Sequence, residues 1–545
     1  MYQLKSLINK LEENLKEFNI FETIDIKTCN EAKYQFQINN LVKHQRHKQI
    51  KDIISSTNKI IKEEDIVSSF EVTDKNFLNL EINIKKFQYT FENIRKAIKL
   101  ENKKNIILDY GGPNIGKPLH VGHLRSLNIG RSIYEINKLA GNKVTSDIHL
   151  GDWGMPIAQI IGYMSIHKID SENITIEELE KIYPLSSSLY SEDEEFRESA
   201  LQINKKLNES DKETIQQWSV IRQVSIKSIT QVLETLGHKF DLILGESDVN
   251  YLIPEMLESL LEKKKITEDS GAYVVSLNTD PKILITKSDG SYLYLTTDLA
   301  TVINRKSQNF DTVLYVVDKR QSLHFNQLFQ CVEYFGIDNA DFQHIAFGTV
   351  NDSLGNPFKT REGGTKKLID LFEETKYYVK DINKNLDDST INKLANTILT
   401  FSDLITNRKT DYKFDLEKFS NISGKTGIYV QYALVRAKKL LNKSKLKLEK
   451  DFYITKLDEK DLNLIYSFMK FEIYFEQALN NSEPHHLADY LYELSNLYNS
   501  MYQSDNILDN SDLEIMSNKL LITSYFVDYS KLLMESLGIF PVDEM

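Results

Sequence analysis

The 545-residue chain reads as an α/β protein built on a parallel sheet, with a small α+β part before it and an all-helical part after it. Three observations predict this. Between about residues 89 and 380, strand-like segments such as KNIILDY, KVTSDIHLG and DTVLYVVD alternate with helical patterns, the texture of a parallel sheet wound by helices. Ahead of them a helix is followed by short strand-like pieces. Beyond about residue 381 the strand signal disappears.

Taken in order, residues 1–88 open with MYQLKSLINKLEENLKEF, an amphipathic helix, and continue into FEVTDKNFLNLEINI, a strand pattern. Glu12, Glu13 and Glu17 exclude a transit peptide, which avoids acids, and the helix lacks the unbroken apolar core of a signal peptide. A cytoplasmic location is expected. Residues 89–380 form the α/β part, and a Glu-rich helical insertion is expected over about 170–237. Residues 381–545 read as a helical bundle. In YVQYALVRAKKLL, Val430, Leu434, Ala437 and Leu441 fall at i, i+4, i+7 and i+11 on one face.

Composition narrows the functional classes. Apolar residues make up 41% and charged residues 27%, as in ordinary globular proteins. No apolar run is long enough to span a bilayer. The net charge of −12 argues against broad, nonspecific nucleic-acid binding, yet leaves room for local basic surfaces. Cys29 and Cys331 are the only cysteines. Without a C-x-x-C or a His/Cys cluster, neither a zinc site nor a disulfide framework is expected. His485 and His486 are adjacent on a helix and are expected to point in different directions, so no metal site is expected there either.

The most informative stretch is LDYGGPNIGKPLHVGHLRSLNIGRSIYEI. It leaves a strand, crosses a Gly/Pro loop and enters an amphipathic helix. Free backbone N–H groups and the helix dipole favour phosphate at such a junction. His120 and His123 lie one turn apart where that helix starts, Gly122 leaves bare backbone between them, and Lys117 adds a mobile cation. GPNIGKP has the wrong spacing for a Walker A loop, and SGKTG has Phe419 where that motif needs Gly. Two histidines at a helix start also serve as caps, so H-x-G-H alone decides little.

The whole string resembles the ATP-binding signature of class I aminoacyl-tRNA synthetases, in the extended form of the arginyl-tRNA synthetases. HLGDWGMPIAQII, KSDGSYLYLTTDLAT, YVVDKRQSLHFNQLF, GNPFKTREGGTKKLIDLFEE, YVQYALVRAKKLL and LGIFPVDEM follow in that family's order. The resemblance implies a Rossmann-type catalytic domain, an N-terminal additional domain that grips the tRNA elbow and a helical anticodon-binding domain. It also implies an ATP-dependent, AMP-forming arginine–tRNA ligase acting as a monomer on L-arginine, ATP with Mg2+ and tRNA(Arg), without zinc or a prosthetic group. A tRNA-binding protein of the same build that has lost catalysis is the alternative.

The resemblance assigns His120, Gly122, His123, Lys117 and Lys359 to ATP. FKTREGGTKK stands where the class usually has Lys-Met-Ser-Lys-Ser. There Lys359, Arg361 and Lys366 supply positive charge, Gly363 and Gly364 let the loop close, and Lys117 compensates for the departure. Arginine selection needs acids, because a guanidinium prefers a planar carboxylate. Tyr294 and Asp298, at i and i+4, share a helix face and are implied as the side-chain pocket. Asp109, Gly112, Pro113, Asn114, His123 and Gln327 are implied around the rest of the amino acid. Adenylate formation in this family generally requires bound tRNA, and the same is expected here.

Candidate RNA contacts are broader. Arg436, Lys438, Lys439, Lys443, Lys445 and Lys447 form a basic run, and Tyr429, Tyr432, Tyr498 and Tyr502 are candidates to stack on bases, most of them expected in the core. KHQRHKQIK, from Lys43, is a second basic segment. Tyr34 and Gln35 replace the family's usual Gly-Asp pair in the first domain.

Overall fold

The computed structural model describes residues 3–545 except 25, 30–32, 85–93, 278, 280, 289, 357–365, 447–451 and 505. The chain divides into two compact units. One comprises Met1–Lys99, Tyr429–Glu535 and Pro541–Met545; the other comprises Leu100–Ile428 and Ser536–Phe540.

In the first unit, strands β1 (Ile26–Thr28), β2 (Phe36–Ile38), β3 (Val67–Val72) and β4 (Leu78–Ile82) form an antiparallel sheet in the order β1-β2-β4-β3. The opening helix is Gln3–Glu17, and Leu4, Leu7, Leu11 and Leu15 bury its apolar stripe. Tyr34 is buried, and the Gln35 side chain accepts a hydrogen bond from Ile82 N at 2.7 Å, so both residues serve their own sheet. The remainder is helical: Gly427–Lys443 begins it, and Glu459–Phe468, Phe471–Asn481, His485–Ser504 and Leu513–Ser536 follow. Val430, Leu434 and Ala437 are fully buried and Leu441 half-buried, as the spacing predicts.

In the second unit, β5 (Asn105–Tyr110), β6 (Lys143–Asp147), β9 (Thr312–Val316) and β10 (Asp341–His344) form a wholly parallel sheet ordered β10-β9-β5-β6. β5 is buried over Ile106–Tyr110 and β9 throughout, the continuous apolar character of central parallel strands. Helices Tyr294–Lys306 and Ser322–Phe335 share a core with the sheet in which Leu295, Leu299, Phe325 and Leu328 meet Ile107 and Val313. β7 (Ile266–Asp269) and β8 (Ala272–Val275) make a separate antiparallel hairpin. The helical insertion consists of Ile176–Glu192, Glu194–Asn208 and Lys212–Thr235; Thr175 and Glu178 form a capping box at its first helix. The expected α/β architecture with a strand-containing N-terminal part and helical C-terminal part is what the chain adopts. No helix among the described residues is long and apolar enough to cross a membrane.

Candidate active site

Functional side chains of a parallel sheet gather at the C-terminal ends of its strands. Here β5 ends in Asp109 and Tyr110, and β6 ends in Asp147. Arg305, from helix Tyr294–Lys306, donates through Nη2 to both Asp109 Oδ2 and Asp147 Oδ2 at 2.6 Å. Burial opposes the Arg305 charge, but the two facing carboxylates outweigh it and hold the guanidinium ionised. Asp109 is thus drawn into a buried ion cluster at the strand ends.

The loop after β5 pairs with the loop after β6. Ile115 N donates to Gly151 O, and Gly151 N donates to Pro113 O, both at 3.1 Å. A Cβ at Gly151 would lie 2.1 Å from Asn114 Oδ1, so only glycine admits the Asn114 side chain there. Gly112 has φ +33°, and Asn114, two residues on, bridges in parallel to Gly151.

Next come the two histidines. His120 precedes the short 3-10 turn Val121–His123, which runs directly into helix Leu124–Ala140. Gly122 N donates to His120 Nδ1, and His120 N donates to His123 Nδ1, both at 3.1 Å. With its Nδ1 accepting, the His120 ring carries its proton on Nε2 and has that N–H left to offer, whereas His123 Nδ1 lies 3.1 Å from His120 N and 3.2 Å from His120 O, so its tautomer sets its role. The ring centroids are 4.0 Å apart. Burial, then the neighbouring His120, depress His123 to about 3; burial, then Lys117, lower His120. Both are neutral donors at physiological pH. A Cβ on Gly122 would come within 2.8 Å of the His120 ring, so this glycine makes room for the imidazole. Behind the pair, Arg125 is buried; its Nε donates to Asp403 Oδ1 at 2.9 Å, and its Nη1 donates to the Gly348 and Thr410 carbonyls. That anchor fixes the start of the helix.

Lys359 and Arg361, with Gly363 and Gly364, lie outside the described residues. The segment that follows is tied to the histidines: Val121 N donates to Lys366 O at 3.0 Å and Leu368 N to Leu119 O at 2.9 Å. Lys366 forms an ion pair with Glu374. Lys117 stands over the Tyr183 ring, 4.6 Å from its centroid.

Tyr294 opens helix Tyr294–Lys306 and is 66% exposed. One turn on, Asp298 Oδ2 lies 2.6 Å from Nε2 of His324, whose helix, Ser322–Phe335, also carries Gln327 a turn later. Beside them is a residue the sequence reading missed, Glu246. It lines a cavity of about 150 Å³ together with Trp153, Met155, Asn250, Tyr294 and Thr297. Burial, and next the charge of Asp298, push the Glu246 carboxyl up to about 8. Its signal was present in FDLILGES, where an apolar run ends in Gly-Glu: Ile148 N donates to Leu242 O and Leu150 N to Leu244 O, so this run lies alongside the continuation of β6. The structure therefore brings Tyr294 and Glu246 to one cavity, sets Asp298 on His324 near enough for its charge to act on Glu246, and places Asp109 with Arg305.

Comparison with known proteins identifies this arrangement. The family described as tRNA synthetases class I (R), catalytic domain, matches residues 87–416, and the DALR anticodon binding domain matches residues 430–545. The chain belongs to the arginyl-tRNA synthetase family. It is 37% identical over 486 residues to the arginine–tRNA ligase of Francisella tularensis subsp. tularensis, covering 83% of this chain and 84% of that one. It is 34% identical over 533 residues to the arginine–tRNA ligase of Agathobacter rectalis, covering 89% of each. Among solved structures, the arginyl-tRNA synthetase of Plasmodium falciparum superposes with TM-score 0.82 at 25% identity, covering 99% of both chains. The Thermus thermophilus arginyl-tRNA synthetase shares the fold, with TM-score 0.80 at 18% identity, over 99% of this chain and 100% of that one. Family membership makes the chain an enzyme, an aminoacyl-tRNA ligase.

In the first unit, Arg436 lies over the rings of Tyr432 and Tyr502, at 4.6 and 4.9 Å, and donates to Asn499 Oδ1. Tyr432, Arg436 and Tyr502, with Lys439, Lys443 and Met545, line a cavity of about 630 Å³. Tyr498 is core, stacked on Phe526 at 4.2 Å, and Tyr429 packs on Tyr492. Lys438 is engaged by Asp543. Lys445 is exposed, and Lys447 lies outside the described residues. Lys43, Arg46 and Lys48 of the earlier basic segment are exposed. His485 and His486, expected to diverge, have ring centroids 4.1 Å apart, because the first turn of their helix brings both beside Glu483.

Proposed function

We propose that this chain condenses L-arginine with ATP into arginyl-adenylate and transfers the arginyl group to the 3′ end of tRNA(Arg), with Asp298, Glu246 and Tyr294 selecting the guanidinium. The observation that carries the reading is a buried carboxyl, Glu246, lining a small cavity with Tyr294 while the charge of Asp298 acts on it. Burial first, and then the like charge of Asp298, disfavour ionisation of Glu246, and a cation beside both acids offsets those penalties. A planar guanidinium suits two acids and a phenol.

ATP lies against the histidine pair, with its Mg2+ arriving as part of the substrate. The Nε2–H groups of His120 and His123 donate to phosphate oxygens, while Lys117, Lys359 and Arg361 neutralise developing charge. The arginine carboxylate attacks the α-phosphorus in line, the bond to the bridging oxygen breaks, and pyrophosphate leaves. Neither histidine removes a proton, because the nucleophile is already an anion. Gln327, Asn114 and the 112–113 segment hold the rest of the amino acid, and Asp109 acts on its amino group from within the Arg305 cluster. In the second step a terminal ribose hydroxyl of the tRNA attacks the adenylate carbonyl carbon and AMP departs.

Residues 1–88 contact the tRNA elbow, through Lys43, Arg46 and Lys48, and the C-terminal helices read the anticodon, with Tyr432, Arg436 and Tyr502 as the base-stacking cluster. The enzyme works as a cytoplasmic monomer. Pyrophosphate exchange with each amino acid, with and without tRNA(Arg), tests this reading: exchange is expected with arginine when tRNA is present. Exchange with lysine or cysteine and none with arginine overturns it.

A further inference from the structure

The inserted helix Ile176–Glu192 touches the nucleotide segment at two cations. Tyr183 offers its ring face to Lys117, with Nζ 4.6 Å from the centroid. Glu180, one turn earlier on the same face, receives Lys367 Nζ at 2.7 Å. These cations flank His120 from opposite directions along the chain. Lys117 precedes it by three residues, and Lys367 is bridged to it through backbone pairing. Gly116 is held as well, its N–H donating at 2.9 Å to Ser225 Oγ on another inserted helix, Lys212–Thr235. A Cβ on Gly116 would stand 3.6 Å from the Tyr183 ring, so loop and ring are in close register.

A lysine has four rotatable bonds and roams widely unless something confines it. Two lysines confined beside one pair of histidines by a single helical turn are a pre-organised arrangement rather than a solvated face. We propose that the inserted helix is a positioning element of the ATP site, with Tyr183 holding Lys117 and Glu180 holding Lys367 over the place where the triphosphate binds. This rests on the assignment of ATP to the His120–His123 segment. The aromatic face keeps Lys117 near its target without a carboxylate that would compete with phosphate. Glu180 pairs with Lys367 while the site is open and yields it to the more highly charged triphosphate. Tyr183 and Glu180 are positioning residues, since both act through a lysine.

The test is steady-state pyrophosphate exchange with full-length enzyme, arginine and tRNA(Arg), titrating ATP. Tyr183→Leu should raise the KM for ATP about fivefold, the worth of one cation–π contact, with a smaller change in kcat and an unchanged KM for arginine. Tyr183→Phe, which keeps the ring, should behave as wild type, and its melting temperature controls for folding. In a Lys117→Met background, Tyr183→Leu should add nothing further. Wild-type ATP kinetics for Tyr183→Leu beside a defective Lys117→Met overturns the positioning role and leaves the ATP assignment standing. An unchanged KM for ATP in Lys117→Met itself overturns the placement of ATP, and the positioning role with it.

Discussion

The carboxylate of Asp298 and the imidazole Nε2 of His324 lie 2.6 Å apart, and the charge of Asp298 acts on Glu246, which lines a small cavity with Tyr294. A lysine or arginine in the place of His324 would neutralise Asp298 permanently. A histidine is a conditional cation, charged only when protonated, and it can serve as a neutral hydrogen-bond donor while Asp298 faces a guanidinium. The contrast with Asp109 is direct. That acid faces Arg305, a permanent cation, so of the two it is Asp298, paired only with a histidine, that is better placed for the substrate guanidinium.

With Glu246 as a ligand of arginine, binding should depend on pH. A carboxyl at about 8 when folded, against an ordinary 4.5, is protonated in the folded protein and ionised in the unfolded chain between those values. The stability it confers is complete below about 4.5 and is lost as pH rises through about 8. Glu246→Gln should therefore raise the melting temperature at pH 8 while weakening arginine binding. In the wild type, arginine should bind about tenfold more tightly at pH 9 than at pH 7 if binding selects the ionised acid. Calorimetric titration across that range checks both, and equal affinity at the two pH values counts against Glu246 as a ligand.

His123 combines a cap with a donor, and two substitutions separate them. Asparagine retains an acceptor near Nδ1 for the His120 N–H and loses the distal donor. Glutamine retains a distal donor and loses the cap. His123→Asn should keep its stability and lower the activation rate at least about tenfold, the worth of one charge-directed hydrogen bond. His123→Gln should retain more activity and lose about 1 kcal/mol of stability. Single-turnover adenylate formation and urea unfolding read the two effects. The opposite pattern would make the histidine a cap alone.

Arg305→Met leaves Asp109 and Asp147 buried without their shared cation. Breaking a buried pair in this way costs about 3–5 kcal/mol, and denaturant unfolding should show it. A loss below about 1 kcal/mol would mean that the cluster is held by other partners.

Arg436→Ala should raise the KM for tRNA(Arg) about tenfold, in line with the loss of one stacking position, with kcat at saturating tRNA near wild type. Aminoacylation measured against tRNA concentration decides. An unchanged KM would make the Tyr432–Arg436–Tyr502 cluster purely structural.

These predictions also mark where the sequence was legible. The central strands were, because the apolar stretches Ile106–Leu108 in β5 and Val313–Val316 in β9 read as buried strands. β10 was not: its residues Asp341–His344 alternate between exposed and half-buried, as on a sheet edge, and carry no apolar run. At the site, Tyr294 and Asp298 could be paired because i and i+4 on one helix determine proximity. Glu246 and Arg305 could not, since each meets its partners through tertiary packing across long stretches of chain: Arg305 lies 196 residues from Asp109. The spacing of His120 and His123 placed both at the helix start, but which ring nitrogen accepts depends on backbone geometry that spacing alone does not encode. Gly122 shows the same limit, since its neighbour here is the His120 ring.

Selection of arginine by the charge of its side chain falls, in the function proposed, to the Asp298 carboxylate. Its most direct test is pyrophosphate exchange, in the presence of tRNA(Arg), with arginine and with citrulline, the neutral isostere, for wild type and Asp298→Asn. The substitution should lower kcat/KM for arginine by about 100-fold or more, the worth of a charge-assisted pair, leave the KM for ATP near its wild-type value, and remove most of the preference for arginine over citrulline. Undiminished discrimination in Asp298→Asn would contradict that assignment.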